Sequence, residues 1–283
     1  MARQGVILVA GATGNVGRQV VAQLREAGAA VRALARDPGR AALPAGVDVV
    51  RGDLTDPDHL HAALDGVESV FLLWPSLATD GAAAAVDAIK RYARRVVYLS
   101  AMAVSDDPAQ RTGSLWGTVE HLIEQSGLEW TFVRPGGFAT NTLGWAPQIR
   151  ADGVVRDAYG AAARSLIHER DIAAVSVRAL TGDGHAGRRY VLTGPQVVSQ
   201  EEQVRTIGEV IGRPVRWEEI PREAARQRLV AAWGDPTFVD AALDYYASLV
   251  TQPEPVTATV EKLTGTPART FREWVTDHAD DFR

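Results

Sequence analysis

The chain has 283 residues, 46% of them hydrophobic and 23% charged, which excludes extensive disorder and leaves room for one full-size domain plus a smaller lobe. Its 30 basic and 35 acidic residues give a net charge of -5 with no standout cluster of Lys and Arg, so nucleic acid is not expected as a direct partner. The absence of cysteine excludes disulfides, thiolate metal sites and a cysteine nucleophile.

In chain order, apolar runs bounded by turn residues predict strands at Val6 to Ala10, Ala30 to Leu34, Asp48 to Arg51, Ser69 to Leu73, Arg95 to Leu99 and Trp130 to Val133. Helical patterns fall between them, from Asn15 to Ala27, Pro57 to Leu64, Gly81 to Arg91 and Ser114 to Ser126, the second with Asp56 placed to cap it and Pro57 at its first position. This alternation predicts an α/β fold, a Rossmann-type doubly wound parallel sheet of six strands. Past Arg134, Pro135-Gly136-Gly137 opens an irregular stretch to about Gly160. Asp171 to Leu180 then reads as a helix and Arg189 to Leu192 as a strand; from Ser199 the chain is mostly helical, with a short strand near Val215. The expected organisation is a nucleotide-binding domain over 1–150 and a smaller, mostly helical C-terminal lobe over 151–283, parts of 165–195 packing back on the first domain.

The first apolar run is too short for a signal-peptide core, and no stretch approaches the ~20 apolar residues of a membrane span, so a cytoplasmic protein with no membrane partner is expected. The histidines are scattered; His59 and His61, two apart on a predicted helix, point to nearly opposite sides, and no metal site is expected.

The segment Gly11-Ala12-Thr13-Gly14-Asn15-Val16-Gly17 sets three glycines at three-residue spacing between a buried strand and a helix. Gly11 permits the tight turn, Gly14 lets the backbone approach a pyrophosphate, and Gly17 allows the helix to pack closely on the strand, while the helix N-terminus favours an anion. A purely structural turn is the alternative. The second strand ends in Ala33-Leu34-Ala35-Arg36, without the acidic residue that would hold a free ribose 2′-hydroxyl. Arg36, assisted by Arg40, can instead pair with a 2′-phosphate, unless it is an ordinary exposed arginine; NADP(H) is therefore expected in preference to NAD(H). Asp53, in Arg51-Gly52-Asp53-Leu54, either accepts from the adenine amino group or begins a turn.

Together, Gly11-Ala-Thr-Gly-Asn-Val-Gly17, Val31-Arg-Ala-Leu-Ala-Arg-Asp-Pro38, Gly52-Asp-Leu-Thr-Asp56, Ser126-Gly-Leu-Glu-Trp-Thr-Phe-Val-Arg-Pro135, His168-Glu-Arg-Asp-Ile-Ala173 and Arg269-Thr-Phe-Arg-Glu-Trp274 resemble the NmrA-like branch of the atypical short-chain dehydrogenase/reductase superfamily. The resemblance spans nearly the whole chain. It implies an NADP(H)-binding lobe with the ligand cleft between it and the smaller lobe. Thr13, Gly14, Asn15 and Val16 would then meet the pyrophosphate, Arg36 the 2′-phosphate, Asp53 and Leu54 the adenine, and Trp74, Pro75 and Ser100 the ribose and nicotinamide. Members include reductases of quinones, azo dyes, carbon-carbon double bonds and benzylic ethers, and cofactor-sensing regulators with little or no enzymatic activity.

One departure stands out. Reductases of this type often carry Lys or His eleven positions before the glycine of the Ser-Gly-Leu segment, and counting back from Gly127 arrives at Trp116, which has no acid-base chemistry. The Tyr-x-x-x-Lys pair of ordinary short-chain dehydrogenases is also missing. Ser100, at the carboxyl end of a central strand, is the candidate catalytic hydroxyl, with a turn-capping role as the alternative. Glu120 reads as an exposed or capping glutamate, and His168 is adequately explained by local structure. Trp116, Phe138, Asn141, Trp145 and Tyr159 are the candidate substrate contacts, the aromatic ones suited to a flat apolar ligand or else to packing, and Trp217, Trp233 and Trp274 are assigned to the C-terminal core. The reading is an NADPH-dependent reductase of a flat conjugated or aromatic small molecule such as a quinone, enone or imine, acting as a monomer or homodimer. A non-catalytic NADP(H) sensor is the alternative, and a non-redox cyclase or isomerase a further one.

Overall fold

A computed structural model describes residues 5–76 and 78–283, the side chains of Pro57, Asp58 and Pro108 excepted. The first half runs β1 (Val6–Val9), α1 (Asn15–Glu26), β2 (Val31–Ala35), β3 (Asp48–Arg51), α2 (Pro57–Leu64), β4 (Val67–Leu72), α3 (Ala82–Tyr92), β5 (Arg95–Leu99), α4 (Pro108–Arg111), α5 (Leu115–Gln125) and β6 (Glu129–Pro135). It continues through a 3-10 segment (Ala139–Trp145), α6 (Ala146–Asp152), β7 (Val154–Asp157), β8 (Ala163–Arg164), α7 (Glu169–Thr181), β9 (Arg188–Leu192), β10 (Val198–Ser199) and α8 (Gln200–Ile211). The last stretch holds β11 (Arg216–Glu219), α9 (Arg222–Trp233), α10 (Pro236–Ser248), α11 (Thr259–Thr264), α12 (Phe271–Asp277) and α13 (Ala279–Phe282).

The chain divides into two units that do not follow chain order: residues 1–135, 169–192 and 259–266 form the first, and 136–168, 193–258 and 267–283 the second. The first unit is built on a parallel sheet of order β3-β2-β1-β4-β5-β6-β9. It is the doubly wound order, which reverses between β1 and β4 and so leaves a crevice at the carboxyl ends of those two strands. The sheet has seven strands where six were expected from sequence. The seventh, β9, opens with Arg188-Arg189 and pairs Tyr190 with Val133, and such a short, charged run is tolerated because it lies at an edge.

Strands such as β1 (VILV) and β5 (RVVYL) are apolar without alternation because both their faces are covered. Helix α1 buries Val16, Val20, Val21 and Leu24 at helical spacing and packs on α7, where Gln23 Nε2 donates to the Arg170 carbonyl at 3.0 Å. Helix α2 starts at Pro57, and the His59 N–H donates to Asp56 Oδ1 at 3.4 Å. On the face opposite α1 and α7, Leu60 and Leu64 of α2, Ile89 of α3 and Val119 and Ile123 of α5 join Tyr98 and Phe132 in one core. Arg95 Nη1 closes the C-terminal end of α7 by donating to the carbonyls of Leu180 (3.0 Å) and Gly182 (2.8 Å).

In the second unit, β7 pairs in parallel with β11 and β8 antiparallel with β10. The stretch read as irregular up to Gly160 thus contains a helix and a strand. Its core surrounds fully buried Trp274, which stacks on Phe271 with ring centroids 5.5 Å apart and meets Ile149, Val155 and Ile207 in the same cluster. Of the three tryptophans assigned to that core, Trp217 is half-buried with its Nε1 donating to Glu219 (2.7 Å), and Trp233 is exposed. Trp233 closes an α9 that buries only Ala225, so its ring has no core to enter.

Candidate functional site

The glycine loop lies in the first unit at the carboxyl end of β1. Gly11 has φ +74°, a left-handed conformation that favours glycine. Its carbonyl accepts from the Gly14 N–H at 3.0 Å, closing the turn. A Cβ on Gly17 would lie 2.0 Å from that same carbonyl oxygen, so the helix approaches the strand at a distance only glycine allows. Thr13, Gly14 and Asn15 are exposed, and α1 starts with no side-chain cap and no acidic residue in its first turn. Its leading N–H groups are therefore open to an anion, and the exposed backbone at Gly14 gives a phosphate room to approach.

Arg18, which sequence reasoning missed, holds this loop in place. Its guanidinium donates to the carbonyls of Thr13 (2.9 Å), Ala42 (2.8 Å) and Ala41 (3.0 Å), tying the glycine loop to the segment after β2. The sequence signal was a cation near a helix N-terminus, where the helix dipole disfavours it.

Arg36 and Arg40 are exposed beyond the end of β2, and Asp37 between them accepts from the Gly39 N–H at 3.1 Å. Asp53 Oδ1 accepts from both the backbone N–H and the hydroxyl of Thr55, each at 2.9 Å, so the turn role is filled while Oδ2 stays available to a ligand. Leu54 is buried in the core. Trp74 is buried as well, its Nε1 donating to the Ala78 carbonyl (2.7 Å), and Pro75 is exposed. The open amides and the glycine cradle, with the exposed Arg36 past the end of β2, suit a dinucleotide's phosphates.

At the carboxyl ends of β5 and β6 lies a buried polar chain. Ser100 Oγ donates to Glu120 Oε1 at 2.6 Å, while Arg134 holds the same carboxylate through Nε (2.8 Å) and Nη2 (2.6 Å) and reaches Asp106 Oδ1 through Nη1 (2.7 Å). Ser100, Glu120 and Arg134 are all buried, whereas the Asp106 side chain is 79% exposed. Glu120 is thus neither an exposed nor a capping glutamate: it faces inward because a cation on the neighbouring strand meets it. With its hydrogen committed to Glu120, the Ser100 hydroxyl has only lone pairs left to offer.

The electrostatics follow from this packing. Burial opposes the charge of Arg134, but hydrogen bonds and attraction from Glu120, then Asp106, outweigh it and raise its pKa. Burial first, then the negative field of Glu120, raises the Tyr98 phenol well above its ordinary value; its hydroxyl has no hydrogen-bond partner among the described residues. Trp116 is half-buried in the first turn of α5, whose cap is Ser114 Oγ accepting from the Gly117 N–H at 3.1 Å.

The second unit contains a cavity of about 700 Å³ lined by Asn141 and Trp145 among the expected substrate residues. Trp145 meets Trp217 edge-on, centroids 5.7 Å apart. Leu229, Trp233, Phe238, Leu243 and Tyr246 add apolar wall, and Gln200, Gln203, Arg164 and Arg228 add polar groups. Phe138 instead bridges to Ile167 by backbone pairing. Tyr159 stands at φ +66°, its hydroxyl accepts from Arg222 Nη1 at 3.3 Å, and its ring packs with Ala158, Ala225 and Val239. Of the five expected substrate residues, the cavity gathers two.

Arg164 was not expected from sequence. Its Nε donates to Glu254 Oε1 at 2.8 Å, and its guanidinium lies 5.4 Å from the Tyr245 ring centroid and 5.7 Å from that of Tyr246. Burial opposes its charge, but Tyr246, Glu254 and Tyr245 together raise its pKa. Burial and the Glu254 hydrogen bond likewise raise the pKa of Tyr245.

A family model described as NAD(P)H-binding matches residues 11–183. The chain is 42% identical to the (4-alkanoyl-5-oxo-2,5-dihydrofuran-3-yl)methyl phosphate reductase of Streptomyces griseus, over 98% of this chain and 99% of that one. It is 38% identical to the NAD(P)H azoreductase of Xenophilus azovorans, again over 98% and 99%. Among solved structures, an NADPH-dependent quinone oxidoreductase from Escherichia coli matches with a TM-score of 0.78 and 25% identity, covering 96% of this chain and 99% of that one.

Proposed function

Because this chain belongs to the NAD(P)H-binding family, in the NmrA-like group of atypical short-chain dehydrogenases/reductases, and is an NAD(P)H-dependent oxidoreductase, we propose that it uses NADPH in preference to NADH to reduce a flat, conjugated small molecule. The observation that carries the substrate reading is the cavity of about 700 Å³ walled by Trp145, Trp233, Phe238 and Tyr246, a size and lining suited to a planar unsaturated ring. The relatives are named as reductases of an oxo-dihydrofuranylmethyl phosphate, of azo compounds and of quinones, which supports an unsaturated acceptor.

Bound NADPH supplies the hydride from its nicotinamide ring. The chain's own residues do the rest. Thr13, Gly14, Asn15, Val16 and the end of α1 hold the pyrophosphate, with Gly11 and Gly17 setting the loop's shape. Arg36 pairs with the 2′-phosphate, and Asp53 Oδ2 with Leu54 receives the adenine. Trp74 and Pro75 flank the ribose, and Ser100 accepts a hydrogen bond from the ribose or the carboxamide of the nicotinamide. Trp116 supplies no proton, so binding and orientation carry most of the rate; alignment alone is worth on the order of 7 kcal/mol of barrier. Phe138 and Tyr159, on this reading, support the cavity wall from behind.

Consumption of NADPH and of NADH by the purified protein, assayed against quinones, enones, imines and azo dyes, tests the reading. Turnover of one conjugated class, faster with NADPH, is expected. NADPH binding without turnover of any of these acceptors, or equal use of NADH, contradicts it.

A further inference from the structure

The cavity of the second unit holds two cations, and their surroundings separate them. Arg228 is committed: it pairs with Asp157 at 2.7 Å and donates to the Arg156 carbonyl. Arg164 is held at one end only. Its Nε is fixed by Glu254, its Nη1 has a single long contact of 3.5 Å to the Tyr246 hydroxyl, and its Nη2 has no hydrogen-bond partner among the described residues. The guanidinium nonetheless cannot swing away. A Cβ on Gly137 would lie 2.7 Å from Arg164 Nε and 2.8 Å from its Cζ, so the group lies against bare backbone, with Tyr245 and Tyr246 also close to it.

Glu254 is itself pinned. Its side chain is 1% exposed and accepts from the Gly137 N–H (3.3 Å), the Ser165 N–H (3.1 Å) and the Tyr245 hydroxyl (2.6 Å), besides Arg164. The result is a preorganised donor in an apolar cavity wall, its charge matched from behind. Such a pair, electrically balanced at rest, gives no large advantage to a ligand that already carries a full charge. It favours a neutral carbonyl on which charge appears during reaction.

Resting on the reductase reading above, we propose that Arg164 is a catalytic residue that binds the carbonyl oxygen of a neutral conjugated substrate and stabilises the negative charge that hydride addition places there. When the hydride pair forms the new C–H bond at the far carbon of the conjugated system, the C=C pair shifts to a new C=C bond and the C=O pair moves onto oxygen. That oxygen accepts from Nη2. The guanidinium keeps its protons, so water supplies the proton that completes the reduction.

The test uses the full chain saturated with NADP+, which cannot react, and 1,4-naphthoquinone as probe. Infrared difference spectra are expected to show the bound carbonyl stretch at lower wavenumber in the native protein than in the folded double variant Arg164→Met/Glu254→Gln, in which the methionine has no donor to offer. With NADPH, the double variant is expected to lose about a hundred-fold in kcat relative to Glu254→Gln with a smaller change in KM, the range seen when one oxyanion donor is removed. An unshifted carbonyl in the native protein, with turnover intact, overturns the role of Arg164 and leaves the reductase reading standing. Failure of the native protein to reduce any conjugated acceptor brings down both.

Discussion

Ser100 and Glu120 share a 2.6 Å hydrogen bond inside the protein, the serine at the end of β5 and the glutamate one turn into α5, both buried. The bond ranks below the clamp of Arg134 on the same carboxylate. Removing one partner of a buried ion pair leaves the other uncompensated and costs about 3–5 kcal/mol. Losing one hydroxyl donor to a charged group costs about 1.5–3 kcal/mol. Urea denaturation should therefore find Glu120→Ala clearly more destabilised than Ser100→Ala. Equal losses would show that Arg134 finds other partners and that the network is not a unit.

The two glycines that flank the helix start should separate stability from binding. At Gly17 an added methyl meets the Gly11 carbonyl oxygen at 2.0 Å, and Gly17→Ala is expected to lose about 1–3 kcal/mol along with cofactor binding. At Gly14 the same methyl lies 3.4 Å from that oxygen, and φ is an ordinary -83°. Gly14→Ala should keep its thermal midpoint yet bind nucleotide more weakly, because the methyl fills exposed space that the proposed pyrophosphate site uses. A calorimetric melt with a parallel NADPH titration of both variants checks this; unchanged affinity in Gly14→Ala would move the pyrophosphate elsewhere.

The strand-glycine-helix unit and the strands up to Val133 were legible from sequence because apolar runs and their turn residues are local signals. What was hidden is non-local. Strand β9 reads as an isolated apolar run until its pairing with β6 is known, and β7 is only four residues whose partner, β11, comes about 60 residues later. Glu120 resembles a surface residue because a charge is buried only where its counter-charge is, and Arg134 lies on another element. Tyr159 could be read as a free phenol, but Arg222, brought in from α9, donates to it. Arg164 gave no signal at all, since its meaning depends on Gly137, Tyr245 and Glu254 converging from three separate segments.

Arg36 offers a direct measure of nucleotide choice. It is exposed just past β2, where no side-chain carboxylate of that strand competes with a 2′-phosphate. A charge-assisted contact of this type is worth about 1.5–3 kcal/mol, or roughly 10- to 100-fold in Kd. Fluorescence titration should find Arg36→Ala weakened by that factor towards NADPH and barely changed towards NADH. Equal weakening towards both would assign the arginine to a shared part of the nucleotide.

Acid should reveal the outer end of the buried polar chain. The Arg134 hydrogen bond lowers the Asp106 pKa below the ordinary carboxylate value; partial burial opposes this, and the charges of Arg134, Arg189 and Arg111 add to the lowering. A carboxyl whose folded pKa is depressed contributes stability that is fully present above its unfolded value, about 4, and is lost as pH falls through the folded value. The urea midpoint of the native protein should thus exceed that of Asp106→Asn by a constant margin from pH 8 to about pH 5, and the margin should shrink below pH 4. Because the side chain is 79% exposed, the margin should be modest and smaller in high salt. A margin that stays constant down to pH 3 would mean that Asp106 gains nothing from Arg134, and the guanidinium would then be held by Glu120 alone.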